Sequence, residues 1–259
     1  MPDREAIAGT LERAVAERTA LTRFTAAQPD LGVEDAYAIQ WLGIERRLAR
    51  GERLIGAKLG LTSKPKQRTM GVEEPIYGFL TDAMVHPIEE RLALERFIHP
   101  RVEPEIGFLI GEELRGPVAV PQVLAATRAV FPALEVIDSR YARFDFRLPD
   151  VVADNASASA ASLIAGSRAV TPERAGDLRL TGCVVRRDGE IVHTAAGAAV
   201  LGHPAAAVAW LVNRLAERGR ALAAGSLVIA GALTDAVPIA AGQTIRADFD
   251  GLGSVAVSA

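Results

Sequence analysis

The amino-terminal fifty residues place apolar side chains at the spacing of amphipathic helices. Apolar positions recur every three or four residues among charged ones over 3–20 and again over 33–50, so both ranges are predicted helices. Gly51 is a natural end for the second helix, because glycine readily adopts the backbone conformation that terminates helices. We therefore predict a helical segment over 1–51 that serves as a cap or an oligomerisation arm.

Beyond the predicted helices the pattern changes to short apolar runs separated by turns, which is typical of β-strands. Strands are predicted over 98–110, about 131–141, 180–187, 190–201, 226–231 and 244–258. Helices are predicted among them over about 120–129 and over 204–218. Because regular helices do not separate the strands, the pattern argues against a doubly wound or barrel α/β fold. We predict an α+β fold, with a rolled, mixed β-sheet domain over 52–259.

Residues 62–100 carry no clear period and are predicted to be loop. The beginning of this stretch is polar and basic, and glycines and prolines mark turns along the rest. Loops of this length inside compact domains are often lids or binding loops. The basic side chains of Lys64, Lys66 and Arg68 are interpreted as a solvent-exposed face.

Composition narrows the class of protein. The 259 residues suffice for one large domain, or for one domain with an accessory segment. A net charge of −3 gives no reason to expect nucleic acid or an anionic membrane as a partner. The single cysteine, Cys183, excludes an internal disulfide and fits a reducing compartment. The first residues lack the order of a signal peptide, and no apolar run is long enough to span a membrane. We expect a cytoplasmic protein.

The candidate chemistry begins with two glutamates, Glu103 and Glu105, in a predicted strand. Alternate side chains on a strand share a face, which puts these carboxylates roughly 6–7 Å apart along the backbone. Carboxylates held this close repel each other unless a proton or a cation lies between them. Glu135 has similar surroundings, so the three glutamates form a candidate metal site. The alternative is a solvated face of an edge strand, which Pro104 favours because proline is common at sheet edges.

Two further segments have both a functional and a structural interpretation. Lys58 lies between Gly56 and Gly60 in an apolar run. It either points to water, as strand lysines usually do, or lies at the floor of a pocket and holds an anionic or carbonyl oxygen. Small and polar residues over 150–157 predict a strand end that turns sharply. That turn either presents backbone amides and the Ser157 hydroxyl to an anion, or is an ordinary Asx-type turn.

Several common catalytic motifs are absent from the sequence. It contains no phosphate-binding P-loop, no nucleophile elbow, no His-Glu-x-x-His helix and no paired-cysteine metal motif. The glycine-rich run that begins at Gly251 imitates part of a dinucleotide fingerprint, but no helix follows it. The four histidines are scattered along the chain, so a histidine-based metal site is a minor alternative.

Together these segments resemble one known family, the 2-oxohex-3-enedioate (4-oxalocrotonate) decarboxylases and 2-hydroxypentadienoate hydratases of the fumarylacetoacetate hydrolase superfamily. The resemblance spans roughly 50–258 and includes several motifs in one order. The matching segments are 56–64 (GAKLGLTSK), 99–106 (HPRVEPEI), 132–141 (PALEVIDSRY), 153–157 (ADNAS), 197–204 (GAAVLGHP) and 251–254 (GLGS). The chain departs from the family pattern at Pro104, where alanine is expected, and over 158–161, where bulkier polar residues are expected.

The resemblance implies a fumarylacetoacetate hydrolase C-terminal-like fold and a site for a short 2-oxo acid. It implies Mg²⁺ or Mn²⁺ as cofactor, held by Glu103, Glu105 and Glu135. It further implies catalytic roles for Lys58, Asp82 and Ser157, and substrate contacts from Lys58, Leu80 and Ser157. Within this set Asp82 is the candidate for proton transfer.

The implied activity is metal-dependent decarboxylation of 2-oxohex-3-enedioate to 2-hydroxypenta-2,4-dienoate, in the meta-cleavage degradation of aromatic compounds. The segments 76–80, 136–146 and 231–238 look more like the decarboxylase versions than the hydratase versions. The alternatives are a 2-hydroxypenta-2,4-dienoate hydratase and a non-catalytic partner subunit, and the presence of all three glutamates and Lys58 argues against the latter. As partners the resemblance implies copies of the same chain and a complex with a related hydratase.

Overall fold

A computed structural model describes residues 2–154 and 162–259 of the chain. Three helices precede the first strand: α1 (Arg4–Glu17), α2 (Phe24–Ala27) and α3 (Val33–Ala49). The two predicted helices are therefore confirmed, and Gly51 follows the second of them with a φ of +93°. Among the described residues, five helices lie further along: α4 (Lys64–Met70), α5 (Val120–Ala126), α6 (Leu148–Asp154), α7 (Pro172–Ala175) and α8 (Pro204–Ala216). In the described part of the chain, no helix combines the length and apolarity needed to cross a bilayer.

Eleven strands in the described residues form two sheets. They are β1 (Leu54–Gly60), β2 (Ile76–Thr81), β3 (Arg101–Ile110), β4 (Thr127–Ile137), β5 (Ser162–Ala165), β6 (Gly182–Arg187), β7 (Glu190–Ala196), β8 (Leu227–Ile229), β9 (Val237–Pro238), β10 (Thr244–Phe249) and β11 (Gly253–Ser258). The larger sheet has the order β2-β1-β8-β3-β4-β5, with β9 paired to β3, and the smaller has the order β11-β10-β6-β7.

The larger sheet is mixed, as predicted, because β1 and β8 are parallel whereas its other pairs are antiparallel. Strands β10 and β11 of the smaller sheet pack against β4 of the larger one. One apolar core joins both sheets and takes in the buried face of α8, including Val208, Leu211 and Val212. This arrangement of strands and helices confirms the α+β prediction.

The amino-terminal helices pack against α6, which lies in the middle of the chain. A second core cluster combines Ile7 and Leu11 of α1 and Ile39 of α3 with Val151 and Val152 of α6. Because α6 also lies against β2, the helical segment covers that edge of the larger sheet. It therefore supports the wall of the sheet on which the candidate chemistry lies.

The prediction of loop over 62–100 is wrong, because this stretch contains α4 and the fully buried strand β2. Proline and glycine suggested turns, but Pro65 lies in the first turn of α4, where a missing N–H has no intrahelical partner to lose. Gly71 ends the same helix with a φ of +64°. Strand β2 forms because β1 pairs with it along its length, a tertiary contact that local propensity does not show.

The predicted strand end near Asp150 is also wrong, since 148–154 form helix α6. The Asp150 carboxylate is buried and accepts hydrogen bonds from the backbone N–H and the hydroxyl of Thr25, at 3.0 and 2.6 Å. It also accepts one from the N–H of Arg147 at 3.0 Å, at the beginning of the helix. The polar cluster at this point of the sequence thus ties α6 to α2.

Elsewhere the predicted elements exist, with shifted ends. The helix predicted over about 120–129 ends at Ala126, and β4 begins at Thr127 rather than near 131. The strand predicted over 190–201 ends at Ala196 and gives way to a single turn of 3₁₀-helix. The run 244–258 is a hairpin of two strands rather than one.

Candidate active site

The pairing of β3 with β4 brings the three glutamates together. Glu103 lies directly opposite Glu135 in the antiparallel register, and Glu105 lies opposite Ala133. Since alternate residues of a strand share a face, all three carboxylates project from the same face of the larger sheet. We call Glu103, Glu105 and Glu135 the glutamate cluster.

Strand β3 is internal, which contradicts the solvated edge-strand interpretation. It pairs with β4 on one side and with β8 and β9 on the other. Pro104 fits there because β8 pairs only with 107–109 and β9 only with 101–102. The missing N–H of Pro104 therefore faces the gap between these two pairings, while its carbonyl accepts from the N–H of Leu233 at 3.0 Å.

The glutamate cluster has the composition and spacing of a cation site. One carboxylate oxygen from each residue lies within 4.8 Å of the others. Glu105 is 0% and Glu135 is 1% exposed, and within the described residues Glu105 Oε1 and Glu135 Oε2 are buried without a hydrogen-bond partner. Three oxygen donors of this kind suit a hard divalent cation.

Burial and the repulsion between carboxylates raise the pKa values of Glu105 and Glu135. Burial, followed by the charges of Glu135 and Glu103, raises the pKa of Glu105 well above its ordinary value. Burial is also the largest cause of the raised pKa of Glu135, and the nearby Lys58 opposes it. The site therefore favours bound positive charge, in the form of protons or of a metal ion.

Lys58 is buried beside the cluster rather than pointing to water. Its Nζ lies 2.7 Å from Glu135 Oε1, and its side chain is 4% exposed. Strand β1 holds it there because β1 runs parallel to β8, with Lys58 beside Ile229 in the register. The structure thus supports the pocket-floor interpretation of this lysine.

A backbone amide orients Glu105. Gly231 N donates to Glu105 Oε2 at 2.6 Å, just after β8 ends. Gly231 has a φ of +104°, and a Cβ at this position would lie 2.1 Å from the hydroxyl oxygen of Thr62. Glycine is therefore required at this position by both conformation and space.

A cavity of about 690 Å³ opens beside the glutamate cluster. Lys58 and Glu103 line its polar end, whereas Ile76, Phe146 and Val151 form an apolar wall. The other lining residues are Leu59, Gly60, Leu61, Thr62, Ser63, Pro65, Lys66, Arg101, Ile137, Ser139, Phe144, Ala232, Asp235 and Ala236. Its mixed polar and apolar lining suits a small organic anion.

The remaining predicted site residues lie elsewhere. Asp82 follows β2 and accepts from the backbone N–H and Nε of Arg53, each at 2.9 Å, and these hydrogen bonds lower its pKa. It does not line the cavity. Leu80 is on the same face of the larger sheet as the glutamate cluster, but it is buried in an apolar cluster with Phe131 and Leu163. Ser157 lies outside the described residues.

Sequence reasoning missed several residues at the cavity. Lys66 was interpreted as solvent-exposed, yet it lines the cavity from α4. Arg101 precedes Glu103 by two residues, so the same period that related the glutamates could have placed it on their face. Phe144 lies in the segment 136–146 that resembles the decarboxylases, but no periodicity could place it at the cavity, because it reaches the cavity through an irregular turn after β4.

The fold and the site define a class of protein. The family model for the fumarylacetoacetate (FAA) hydrolase C-terminal region matches residues 55–258, and the chain belongs to this family. Within it, the chain is 46% identical to 4-oxalocrotonate decarboxylase of Pseudomonas sp. (strain CF600), over 96% of this chain and 94% of the relative.

Two further likenesses complete the comparison. The chain is 45% identical to 2-hydroxypent-2,4-dienoate hydratase of Pseudomonas putida, over 81% of this chain and 94% of the relative. It also superimposes on the solved structure of 4-oxalocrotonate decarboxylase from Pseudomonas putida G7, complexed with magnesium and adipate. The TM-score is 0.93 at 43% identity, covering 100% of this chain and 98% of the other.

Proposed function

We propose that the protein is a metal-dependent lyase that decarboxylates 2-oxohex-3-enedioate (4-oxalocrotonate) to 2-hydroxypenta-2,4-dienoate. The observation that carries this proposal is the glutamate cluster with its unpaired buried oxygens at the end of a cavity of about 690 Å³. The near full-length likeness to 4-oxalocrotonate decarboxylases supports it. The decarboxylase reading places the reaction in the meta-cleavage degradation of aromatic compounds.

Glu103, Glu105 and Glu135 would hold Mg²⁺ or Mn²⁺, since their oxygen donors match what such ions prefer. A divalent ion bound there supplies Lewis-acid stabilisation of negative charge on a substrate oxygen. Gly231 N–H fixes the orientation of Glu105, and the Lys58 ammonium fixes that of Glu135. These contacts keep the carboxylates in place before the ion arrives.

The reaction moves charge along the substrate in one direction. Loss of the C6 carboxyl as CO₂ sends the electron pair of the C5–C6 bond through the C3–C4 double bond to the C2 oxygen. One proton then joins that oxygen and gives the dienol product. The Lys58 ammonium is buried at the polar end of the cavity, where it adds positive charge next to the oxygen that becomes negative. The apolar wall excludes water from the reacting carbons.

Metal removal tests the proposal directly. Chelation should abolish CO₂ release from 2-oxohex-3-enedioate, and added Mg²⁺ or Mn²⁺ should restore it. Glu105→Gln should weaken Mn²⁺ binding by more than the roughly 10–100-fold typical of losing an outer-shell contact. The matched control is Glu112→Gln, which changes an exposed glutamate just after β3. Full turnover by thoroughly metal-stripped protein would refute the proposal.

A hydratase is the second candidate function, because the chain is also 45% identical to a 2-hydroxypent-2,4-dienoate hydratase. The two substrates differ in charge: the decarboxylase admits a dicarboxylate, whereas the hydratase takes the five-carbon monocarboxylate. Purified protein with Mg²⁺ should release CO₂ from the dicarboxylate and hydrate 2-hydroxypenta-2,4-dienoate slowly or not at all. Rapid hydration without CO₂ release would make the hydratase, rather than the decarboxylase, the first candidate function.

The proposal extends to location and assembly. A cytoplasmic protein is supported by the single thiol, Cys183, which is buried and free. A homo-oligomer, or a complex with a related hydratase, is supported by large exposed apolar side chains on the smaller sheet and the turn before it. Ile191 is 56% and Leu180 is 75% exposed. Light scattering of the protein, alone and mixed with such a hydratase, measures both associations.

A further inference from the structure

Two cations at the mouth of the cavity flank Glu103. Lys66 of α4 places its Nζ 3.5 Å from Glu103 Oε1. Arg101 lies two residues before Glu103 on β3 and so projects from the same face of the sheet. Both line the cavity, and both are separate from Lys58, which is buried against Glu135.

Lys66 is held across the cavity mouth by contacts from two sides. Besides Glu103, its Nζ donates to the carbonyl oxygen of Thr234 at 3.2 Å and lies 3.6 Å from Asp235 Oδ1. Its side chain is 32% exposed, whereas Asp235 is 79% exposed and in water. Once Glu103 binds a metal ion, its charge no longer neutralises the Lys66 ammonium. Lys66 is then available to an anion that enters the cavity.

Arg101 has a fixed orientation and no acidic partner in the described part of the chain. Its guanidinium carbon lies 4.0 Å from the centre of the Phe144 ring, which holds the planar group by stacking. Phe144 and the preceding Arg143 have φ values of +57° and +56°, an uncommon conformation for residues other than glycine. The fold therefore maintains a strained turn that places this ring under the guanidinium.

The charge of the cavity favours a dianion once a metal is bound. The three glutamates of the cluster are balanced by Lys58, Lys66 and Arg101. A bound divalent ion then leaves a net charge of +2 among these groups, which Asp235, exposed to water beside Lys66, lowers to +1. The site is therefore cationic and attracts a dicarboxylate more strongly than a monocarboxylate. The spacing also fits, because same-face neighbours on a strand lie roughly 7 Å apart. This is comparable with the separation between the two ends of a six-carbon 2-oxo diacid.

We propose that Lys66 and Arg101 form the subsite for the distal carboxylate of a dianionic 2-oxo acid, and that they set the preference for dicarboxylates. The inference rests on the proposed function in one respect: the 2-oxo end of the substrate faces the glutamate cluster. The Arg101 guanidinium can donate two parallel hydrogen bonds to a carboxylate, and the Lys66 ammonium is carried on a flexible side chain. Together they can therefore bind a carboxylate in more than one position.

This subsite contributes to binding more than to the rate of the chemical step. The distal carboxylate leaves as uncharged CO₂, so its ion pairs weaken as the transition state is approached. Interactions that are stronger with the bound substrate than with the transition state lower KM and also lower kcat. Lys66 and Arg101 are therefore specificity-determining residues.

Ligand binding to the metal-loaded protein tests the proposal without turnover. The probes are 2-oxoadipate and 2-oxohexanoate, which share the 2-oxo acid and differ by the distal carboxylate; both lack the C3–C4 double bond. Calorimetry on Mg²⁺-loaded wild type should show 2-oxoadipate binding about tenfold or more tightly, the effect of about one favourable charge pair. The double variant Lys66→Met with Arg101→Met should lose this preference while binding 2-oxohexanoate as wild type does.

The matched control is the double variant Lys64→Met with Arg220→Met. Lys64 is on the same helix but contacts Gln67, and Arg220 stacks on Trp41 in the same way that Arg101 stacks on Phe144. Neither lines the cavity. The control should keep the full preference for 2-oxoadipate. Each single variant, Lys66→Met and Arg101→Met, should lose part of it, which preserves the test if the double variant folds poorly.

Metal affinity gives an independent readout. Removing two positive charges near Glu103 should leave Mn²⁺ binding unchanged or a few-fold tighter. Equal losses for both ligands together with weaker Mn²⁺ binding would indicate damage to the metal site and would overturn the proposal. A double variant that retains the wild-type preference, or a wild type without one, would overturn it as well.

The experiments distinguish failure of the subsite proposal from failure of the proposed function. If wild type prefers 2-oxoadipate and the double variant does not, the subsite stands even if no CO₂ is released from 2-oxohex-3-enedioate. If CO₂ is released, the double variant should raise KM about tenfold while kcat stays unchanged or rises. A fall in kcat at unchanged KM would refute the specificity role.

Discussion

Two buried ionic clusters lie on either side of the end of β4, and they differ in how their carboxylates are satisfied. The glutamate cluster sets three carboxylates beside one buried ammonium, that of Lys58. The Arg140 cluster is made of Asp138, Arg140 and Asp154; its guanidinium pairs with the Asp154 carboxylate and donates to the backbone carbonyl of Asp138. With all groups ionised the first cluster has three negative charges to one positive and the second has two to one, but both carboxylates of the second also accept backbone N–H hydrogen bonds. The second cluster therefore connects segments of the fold.

The contacts of the Arg140 cluster show what it connects. The Asp138 carboxylate accepts from the backbone N–H groups of Ile98 and His99, at 2.9 and 2.8 Å, just before β3. Arg140 N donates to Asp154 Oδ2 at 3.1 Å at the end of α6, and its Nη1 donates to the Asp138 carbonyl at 3.0 Å. Burial lowers the pKa of Arg140 to about 10 and raises that of Asp154 to about 6. Buried charge alone therefore does not identify a functional site; buried carboxylates that face one another with few hydrogen-bond donors do so better.

The largest effect on stability is expected from Arg140→Met. Removing the guanidinium leaves Asp154 buried without its cation, which costs about 3–5 kcal/mol of unfolding free energy. Urea denaturation in the presence of Mg²⁺ measures it, with the exposed Arg220→Met as control. The folded fraction should still bind Mn²⁺ as wild type does. If the free energy of unfolding changed by less than about 1 kcal/mol, the Arg140 cluster would not have the structural role that distinguishes it from the glutamate cluster.

Lys58→Met is expected to act on catalysis first. The loss of one preorganised charge should lower kcat/KM by about 10²–10³. Glu135 also loses its buried counter-ion, so the metal-free variant should be less stable than wild type, and Mg²⁺ should restore much of the difference. Lys64→Met, outside the cavity, serves as control. An unchanged rate would return Lys58 to a purely structural role.

Glu105→Gln should stabilise the metal-free protein although it impairs metal binding. Its amide oxygen can still accept from Gly231 N–H, and its NH₂ can donate to the neighbouring carboxylates, which removes a buried repulsion. The expected gain is about 1–2 kcal/mol, the scale of one buried unsatisfied polar group. Thermal or urea unfolding without metal measures it. A loss of stability would mean that the repulsion between these carboxylates is already offset by interactions that the contacts of the cluster do not show.

The smallest effect is expected from Asp82→Asn. Its carboxylate is engaged with Arg53, and four residues of β1, roughly 13 Å, separate that end of the strand from Lys58. Activity should fall less than about threefold, because surface substitutions away from a site have small effects and Asp82 does not line the cavity. The pH dependence of kcat should be unchanged. A large fall in kcat would restore the proton-transfer role that the family resemblance implies.

Some parts of the fold were predictable from sequence because their signals are local. Helical spacing located α1, α3 and α8, and Gly51 marked the end of α3. The loop prediction over 62–100 failed because β2 is stabilised by pairing with β1 and by the helices that cover it. The turn predicted near Asp150 failed for a similar reason, since α2 satisfies that carboxylate from a distant part of the chain.

The candidate site also has one part that was predictable from local sequence patterns and another that depends on tertiary contacts. The sequence by itself determined that Glu103 and Glu105 share a face, because strand periodicity is a property of the backbone. It also singled out Lys58 and Glu135 without determining that they meet. Their contact at 2.7 Å depends on the order β1-β8-β3-β4, which is set by long-range pairing.

Tertiary structure alone decided which charges are buried and how they are balanced. Lys66 was interpreted as solvated from its basic neighbours, yet α4 carries it to the cavity mouth beside Glu103. Leu80 instead packs into the apolar core, and Asp82 pairs with Arg53 away from the cavity. Periodicity follows from the geometry of one strand, whereas desolvation and charge pairing depend on neighbours that only the folded chain brings together.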